Sequence, residues 1–139
     1  MEMNFPFVTS VYAALLTLVF LAISFWVSAG RGKYGVFVGD GGQPGLLARM
    51  RAHANFTEYV PLALLLVALL EGRRTSIYII HALLFVLLIA RILHPFGMVA
   101  PPKSRRLIFC RGLPATATWL VMIVAAVLLL VKAVTAPPY

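Results

Sequence analysis

The sequence has few charged residues and very few acidic ones. Of its 139 residues 12% are charged, and four Asp and Glu stand against 12 Lys and Arg, which gives a formal net charge of +8. Hydrophobic residues make up 62% of the chain, whereas a soluble domain is about half apolar and about a quarter charged. A chain this short cannot bury so much apolar surface in one core. The composition therefore excludes a soluble globular protein and a disordered chain. It predicts an integral membrane protein that forms a single domain over residues 1–139.

Cysteine is nearly absent as well. Cys110 is the only cysteine, so the chain cannot form an intramolecular disulfide and is not a disulfide scaffold. We expect Cys110 to pack as a small apolar residue, expect packing or hydrogen bonding for His53 and His81, and expect no metal site. The positive charge does not indicate nucleic-acid binding, because there is no polar domain to carry such a surface. The basic residues lie mostly between apolar runs.

Four apolar runs predict four transmembrane helices. A bilayer core requires about 20 helical residues, and the predicted spans cover residues 7–29, 46–71, 75–97 and 108–133. The first span is not a cleavable signal peptide, because no basic segment precedes it and its apolar core exceeds the usual length of about 7–15 residues. Glycine and proline mark the connections between spans. The predicted fold is all-α, an integral membrane four-helix bundle whose helices alternate in direction.

The basic residues near the ends of the spans predict the orientation in the membrane. Loops one and three carry most of them, whereas the opposite side carries fewer, together with Glu2 and Glu71. Basic loops face the cytoplasm, so we expect both termini outside the cytoplasm and loops one and three inside it. The basic residues in and beside these two loops are Arg31, Lys33, Arg49, Arg51, Lys103, Arg105, Arg106 and Arg111.

Polar side chains inside the second predicted span share one helical face. Arg51, Asn55, Glu58 and Tyr59 follow the spacing i, i+4, i+7 and i+8, which repeats on one side of an α-helix. An ionisable residue within a span costs about 2.5–3.5 kcal/mol on insertion scales. Residues of this kind therefore indicate either a ligand site or a contact that holds helices together.

The third span adds Arg91 and His94, and the alternation of the helices brings them to the same leaflet as this polar face. Guanidinium groups bind carboxylates through paired hydrogen bonds, and a carboxylate such as Glu58 suits an ammonium group. The set therefore predicts a small peptide or amino-acid-like anion as ligand. The alternative is that Glu58 pairs with Arg51 or Arg91 and only holds the helices together.

Three segments resemble one known family. Arg51-Ala-His-Ala-Asn55-Phe-Thr-Glu58-Tyr59-Val-Pro61 resembles the second-helix signature of the MAPEG family (membrane-associated proteins in eicosanoid and glutathione metabolism). Ala90-Arg91-Ile-Leu-His94 resembles the third-helix motif of that family, and Gly39-Asp-Gly-Gly42 resembles the first loop of its bacterial members. Length, span number and loop pattern agree over nearly the whole chain. The resemblance implies a multi-pass protein of the bacterial inner membrane.

The resemblance also implies an assembly and a ligand. It implies a homotrimer that binds glutathione between neighbouring subunits, near the cytoplasmic leaflet. The residues that would contact glutathione are Arg31, Arg51, Asn55, Glu58, Tyr59, Arg91 and His94. In the enzymes of this family an arginine at the start of the fourth helix stabilises the glutathione thiolate, which is the reactive nucleophile. Ungapped counting from Arg91 selects Arg105, and a short gap selects Arg106 or Arg111 instead.

Three functions follow from these features. The first is a glutathione-dependent membrane transferase or peroxidase that acts on lipophilic electrophiles or hydroperoxides. The second is a non-catalytic lipid-binding or scaffold protein of the same family, against which Arg51, Asn55 and Glu58 argue. The third is a small proton-coupled exporter that uses Glu58 as its carrier. His94 and Met98 stand where some family members have tyrosines, which weakens any role in oxygen chemistry. The sequence favours the first function, with glutathione as co-substrate and the membrane, further copies of the chain, and lipophilic molecules or lipids as partners.

Overall fold

The computed structural model describes residues 5–135, and this part of the chain contains four long helices and no strand. All four are long and apolar enough to cross a membrane. The prediction of an all-α protein with four membrane-spanning helices is therefore confirmed. Glu2, which entered the prediction of orientation, lies outside the described residues. The helices are α1 (Phe7–Tyr34), α2 (Pro44–Gly72), α3 (Ile77–Met98) and α4 (Arg105–Thr135).

The helices α2 and α3 form the centre of the bundle. They contact each other, and each also contacts α1 and α4, whereas the backbones of α1 and α4 do not approach each other closely within the described residues. The cross-section is therefore a rhombus with α2 and α3 on its short diagonal. Most of its interior is apolar, and the buried side chains include Leu16 of α1, Val67 of α2, Leu84 of α3 and Val121 of α4. Many Phe, Leu, Ile and Val side chains are exposed on the outside, as a bilayer requires.

The first helix is longer than the predicted span. It continues past residue 29 to Tyr34, with Arg31 and Lys33 in its last turn. Positive side chains stabilise this end because the last carbonyls of a helix carry partial negative charge. Gly35 then ends the helix in the left-handed conformation, with φ of 65°, which glycine adopts without steric strain. At the other end of the loop, α2 begins at Pro44, because proline suits the first turn of a helix.

The third and fourth helices meet closely at the ends that face loop three. The helix α3 continues through Pro95 to Met98, one residue beyond the end of the predicted span. A Cβ atom on Gly97 would overlap the backbone of Cys110 and Arg111, so only glycine permits this approach. The backbone that Gly97 touches belongs to a π-helical turn, Ile108–Gly112, which nothing in the sequence predicted. Turns of this kind are rare and are often found at functional sites.

A residue of α2 caps the N-terminus of α1. The two carboxylate oxygens of Glu71 accept hydrogen bonds from the backbone N–H groups of Val8 and Thr9, both at 2.8 Å. The Thr9 hydroxyl donates a further bond of 2.7 Å. The first turn of α1 has no acidic residue of its own, so Glu71 supplies the negative charge that stabilises a helix N-terminus. At the same end of the bundle, Arg73 and Lys132 each donate to the backbone carbonyl of the other, at 3.2 and 3.4 Å.

Candidate ligand-binding site

The polar residues of α2 lie on one face of the helix, as their spacing predicted, but they differ in burial. Arg51 and Glu58 are exposed on the surface of the protomer, whereas Asn55 and Tyr59 are half-buried against its other helices. Within residues 5–135, the structure shows no hydrogen bond or ion pair between Glu58 and either Arg51 or Arg91. The protomer therefore does not contain the ion pair between Glu58 and one of these arginines that was the alternative to a ligand site.

Arg91 is the most polar residue in the interior. It is 1% exposed, and it donates to Asn55 Oδ1 at 2.9 Å, to the Thr118 hydroxyl at 2.6 Å and to the Pro114 carbonyl at 3.3 Å. Thr118 donates in turn to the Pro114 carbonyl at 2.9 Å. One side chain of α3 thus joins α2 to α4. Arg91 Nε is buried without a partner in the described part of the chain.

His94 lies one turn after Arg91 and is also buried, with 4% of its surface exposed. Both side chains of the third-helix motif therefore point into the protomer and not onto its outer surface. Asn55 is the link between this interior and the polar face of α2, because its amide oxygen accepts the bond from Arg91. Sequence reasoning missed Thr118. Thr116 and Thr118 are the two hydroxyl side chains of the predicted fourth span, and a hydroxyl in a largely apolar span was the signal that could have found it.

Arg31 contacts the first loop. Its Nη1 atom donates to the carbonyls of Phe37 and Gly39 at 3.1 and 3.0 Å, and Nη2 lies 3.8 Å from the sulfur of Met50. The guanidinium thus holds the loop between α1 and α2 in place. Positive φ angles at Gly39, Gly41 and Gly42 let this loop turn sharply. The Gly-rich segment of the sequence and Arg31 therefore form one local unit.

The three candidate thiol-activating arginines are all exposed at the start of α4. Arg105 is the first residue of the helix, directly after Ser104, whose hydroxyl accepts a bond from the Leu107 N–H at 3.2 Å. Arg106 lies over the ring of Phe96, with its guanidinium carbon 6.0 Å from the ring centroid. Arg111 lies in the π-helical turn. The protomer leaves all three positive charges on its outer surface, so it does not select one of them.

Several side chains outside the polar face have structural partners. His53 Nε2 lies 3.1 Å from the hydroxyl of Ser24, and His81 Nδ1 lies 3.3 Å from the hydroxyl of Tyr12. Cys110 is half-buried and lines an apolar groove between α3 and α4. Within residues 5–135, no group of three or more His, Cys, Asp and Glu side chains could hold a metal ion.

This fold and site define a class of protein. It is a membrane protein with four spans, a polar face on the second span, and a buried arginine that joins the helices of its interior. Comparison with known sequences gives the family. The chain belongs to the MAPEG family, whose family model matches residues 9–131, and the predicted resemblance is confirmed.

Two curated relatives agree with this assignment. The chain is similar to the inner membrane protein YecN of Escherichia coli K12, with 34% identity over 112 residues, which cover 81% of this chain and 82% of that protein. It has the same identity and coverage with the protein of that name from Escherichia coli O6:H1. No solved structure matches the chain. The chain is a multi-pass membrane protein of the bacterial inner-membrane type, as predicted.

Proposed function

We propose that this MAPEG protein is a glutathione-dependent transferase or peroxidase that acts on lipophilic electrophiles or hydroperoxides in the bilayer. The observation that carries the proposal is the polar face of α2. Arg51 and Glu58 are exposed on a helix that is otherwise apolar enough to cross a membrane. Each charge would be unfavourable in contact with lipid. A ligand that has both carboxylates and an ammonium group compensates both charges, and glutathione is such a ligand.

The role of each residue on this face follows from its chemistry. The ammonium of the γ-glutamyl end pairs with the Glu58 carboxylate, and Arg51 binds a carboxylate through its guanidinium fork. The amide oxygen of Asn55 already accepts from Arg91, so the amide N–H₂ group is the part left to bind the ligand. Tyr59, half-buried beside Glu58, adds a hydroxyl. Arg91 thus acts on the ligand through Asn55, as a positioning residue.

A second copy of the chain completes the proposed site. The polar face of α2 points away from the helices of its own protomer at Arg51 and Glu58, and a neighbouring subunit would cover it. We place glutathione between subunits of a homotrimer, in the cytoplasmic leaflet, with loops one and three on the cytoplasmic side. Arg31 contributes by holding loop one against the start of α2.

An arginine at the start of α4 activates the thiol in this mechanism. A guanidinium beside the sulfur favours the thiolate over the thiol and so lowers the pKa of the bound glutathione. The thiolate then attacks a substrate that reaches the site from the bilayer. Attack on an electrophilic carbon forms a C–S bond as the leaving group departs with the electrons of its bond. Attack on a hydroperoxide breaks the O–O bond and releases the alcohol, and a second glutathione converts the resulting sulfenic acid to the disulfide and water. We assign this role to Arg105, with Arg106 and Arg111 as the alternatives. All three are exposed and are therefore available to a ligand between subunits.

Native mass spectrometry of the detergent-solubilised protein, with and without glutathione, tests the assembly and the ligand together. We expect a species of three chains that gains the mass of glutathione, and we expect Arg51→Ala and Glu58→Gln to lose that mass. Arg74→Ala is the matched control, because Arg74 is exposed at the other end of the bundle. Glutathione binding that survives both substitutions on α2 would refute the proposed site. A trimer that never binds glutathione would favour the scaffold function.

A further inference from the structure

A groove between α1 and α3 is separate from the polar face of α2. It is open to the outside, has a volume of about 340 Å³ and contains no residue of α2. Nearly all of its lining atoms are apolar, and its residues include Val19, Ala22, Trp26, Ile92, Phe96 and Val99. In the rhombus of helices, the groove lies on the α1–α3 edge, which does not include α2.

The groove has a defined depth in the membrane. The helices α1 and α3 run in the same direction, because one complete span separates them. From Val19 to Trp26, and likewise from Ile92 to Val99, the groove extends about 10 Å along the helices. Val99 directly follows α3, and Trp26 lies in the half of α1 that leads into loop one. The groove thus occupies the leaflet whose surface carries the basic loops.

Positive charge is concentrated at the end of the groove that faces these loops. The guanidinium of Arg49 lies 4.9 Å from the centroid of the Trp26 ring and donates to the Trp26 carbonyl at 2.9 Å. The guanidinium of Arg106 lies 6.0 Å from the centroid of the Phe96 ring. Both rings line the groove. The groove is therefore amphipathic. Its apolar part lies inside the leaflet, and two arginines lie at the end that faces the basic loops.

We propose that this groove binds an anionic phospholipid of the same leaflet. One acyl chain lies along the apolar groove. The phosphate lies beside Arg106, which is exposed, and Arg49 is the second positive charge. The combination of an apolar groove and positive charge is specific to this lipid class, since a soluble anion would not need the groove and an uncharged lipid would not need the arginines. This role of Arg106 is separate from activation of the thiol, which we assign to Arg105.

Fluorescence quenching by brominated lipids tests the proposal at the groove itself. The chain has two tryptophans, so Trp119→Phe leaves Trp26 as the only one. The protein is reconstituted in phosphatidylcholine vesicles that contain equal fractions of either brominated phosphatidylglycerol or brominated phosphatidylcholine. We expect Trp26 to be quenched more by the anionic lipid, with a relative binding constant of about fivefold, which corresponds to about 1 kcal/mol for one arginine near a membrane surface. The readout needs no thiol, so it succeeds or fails independently of glutathione binding.

Three variants locate the binding. Arg106→Gln should lower the preference for the anionic lipid severalfold, with Arg49 left as the remaining charge, whereas Lys103→Gln, which removes an exposed charge of the same loop, should leave it unchanged. Ala22→Phe fills the groove and should lower quenching by the anionic lipid without any change of charge. Equal quenching by the two lipids would overturn the proposal, and so would equal effects of Arg106→Gln and Lys103→Gln, which would indicate a diffuse attraction. Protection of Trp26 from both lipids would also overturn it, because another copy of the chain would then cover the groove.

Discussion

Arg91 Nη1 donates a 2.9 Å hydrogen bond to Asn55 Oδ1, and this bond joins the buried interior of α3 to the polar face of α2. The same guanidinium also holds Thr118 and the Pro114 carbonyl of α4. A buried arginine with three acceptors on two other helices fixes the distance between those helices. The orientation of the Asn55 amide, and with it the part of α2 that would meet a ligand, therefore depends on a residue that a ligand need not touch.

Substitution of Arg91 should lower stability and ligand binding together. In Arg91→Leu, Asn55 and Thr118 lose a charged donor, and hydrogen bonds to charged groups contribute about 1.5–3 kcal/mol each. We expect a fall in the midpoint of thermal unfolding in detergent and a loss of glutathione binding. Arg51→Ala is the control. Arg51 is exposed, so this change should keep stability within about 0.5 kcal/mol while it abolishes binding. An Arg91→Leu protein with normal stability would show that the three bonds do not hold the helices.

Glu58 should determine recognition of the amino group of the ligand. We expect Glu58→Gln to weaken glutathione binding by about tenfold or more, because a hydrogen bond between charged groups is lost. An analogue of glutathione that lacks the amino group should bind the wild type and Glu58→Gln equally, since neither complex contains the pair. Titration calorimetry of the four combinations measures the coupling. Equal losses with both ligands would show that Glu58 acts on the fold and not on the ammonium.

The cap that Glu71 provides should stabilise the start of α1. Removal of an N-terminal cap costs about 0.5–2 kcal/mol, so we expect Glu71→Ala to lower stability by an amount in this range. We expect faster hydrogen exchange at the Val8 and Thr9 amides that it binds. Asp40→Ala is the comparison, because Asp40 bonds to a single exposed amide, that of Gly42. Unchanged exchange at Val8 and Thr9 in Glu71→Ala would contradict the cap.

Gly97 should not tolerate any side chain. A methyl group there would overlap the backbone of Cys110 and Arg111, and overpacking of this kind costs about 1–3 kcal/mol. Gly97→Ala should therefore lower the midpoint of thermal unfolding and displace the π-helical turn that carries Arg111. Gly32→Ala is the matched control, because nothing lies near a Cβ at that helical position. If Gly97→Ala unfolds at the same temperature as Gly32→Ala, α3 and α4 are not in close contact there.

The sequence predicted the features that depend on local pattern. Hydropathy identified the four spans together with the glycine and proline residues at their connections. The i, i+4, i+7, i+8 spacing placed Arg51, Asn55, Glu58 and Tyr59 on one face, because helical geometry fixes that face. The same pattern could not separate exposed Glu58 from buried Arg91. Burial of a side chain within a membrane helix depends on which neighbour packs beside it, and that is a tertiary property.

Contacts between residues far apart in the sequence could not be predicted for the same reason, because they depend on how the helices pack. Glu71 entered the sequence analysis only as a charge that sets orientation, yet its carboxylate caps α1 across 62 or 63 positions of the chain. The π-helical turn at Ile108–Gly112 likewise has no periodic signal, since it adds only one residue to a helix that continues on both sides of it. Arg49, counted only as a loop charge, lies over Trp26 because Gly30 leaves room for its side chain.

The absorbance of bound glutathione near 240 nm tests the central claim most directly, because thiolates absorb there and thiols do not. The purified protein should produce this absorbance at neutral pH, where free glutathione is mostly a thiol. Arg105→Ala should lose the absorbance while it retains glutathione by native mass spectrometry, and Arg74→Ala should keep both. If glutathione binds without thiolate absorbance, or if Arg105, Arg106 and Arg111 can each be replaced by alanine without effect on it, the chain does not activate glutathione in the way proposed here.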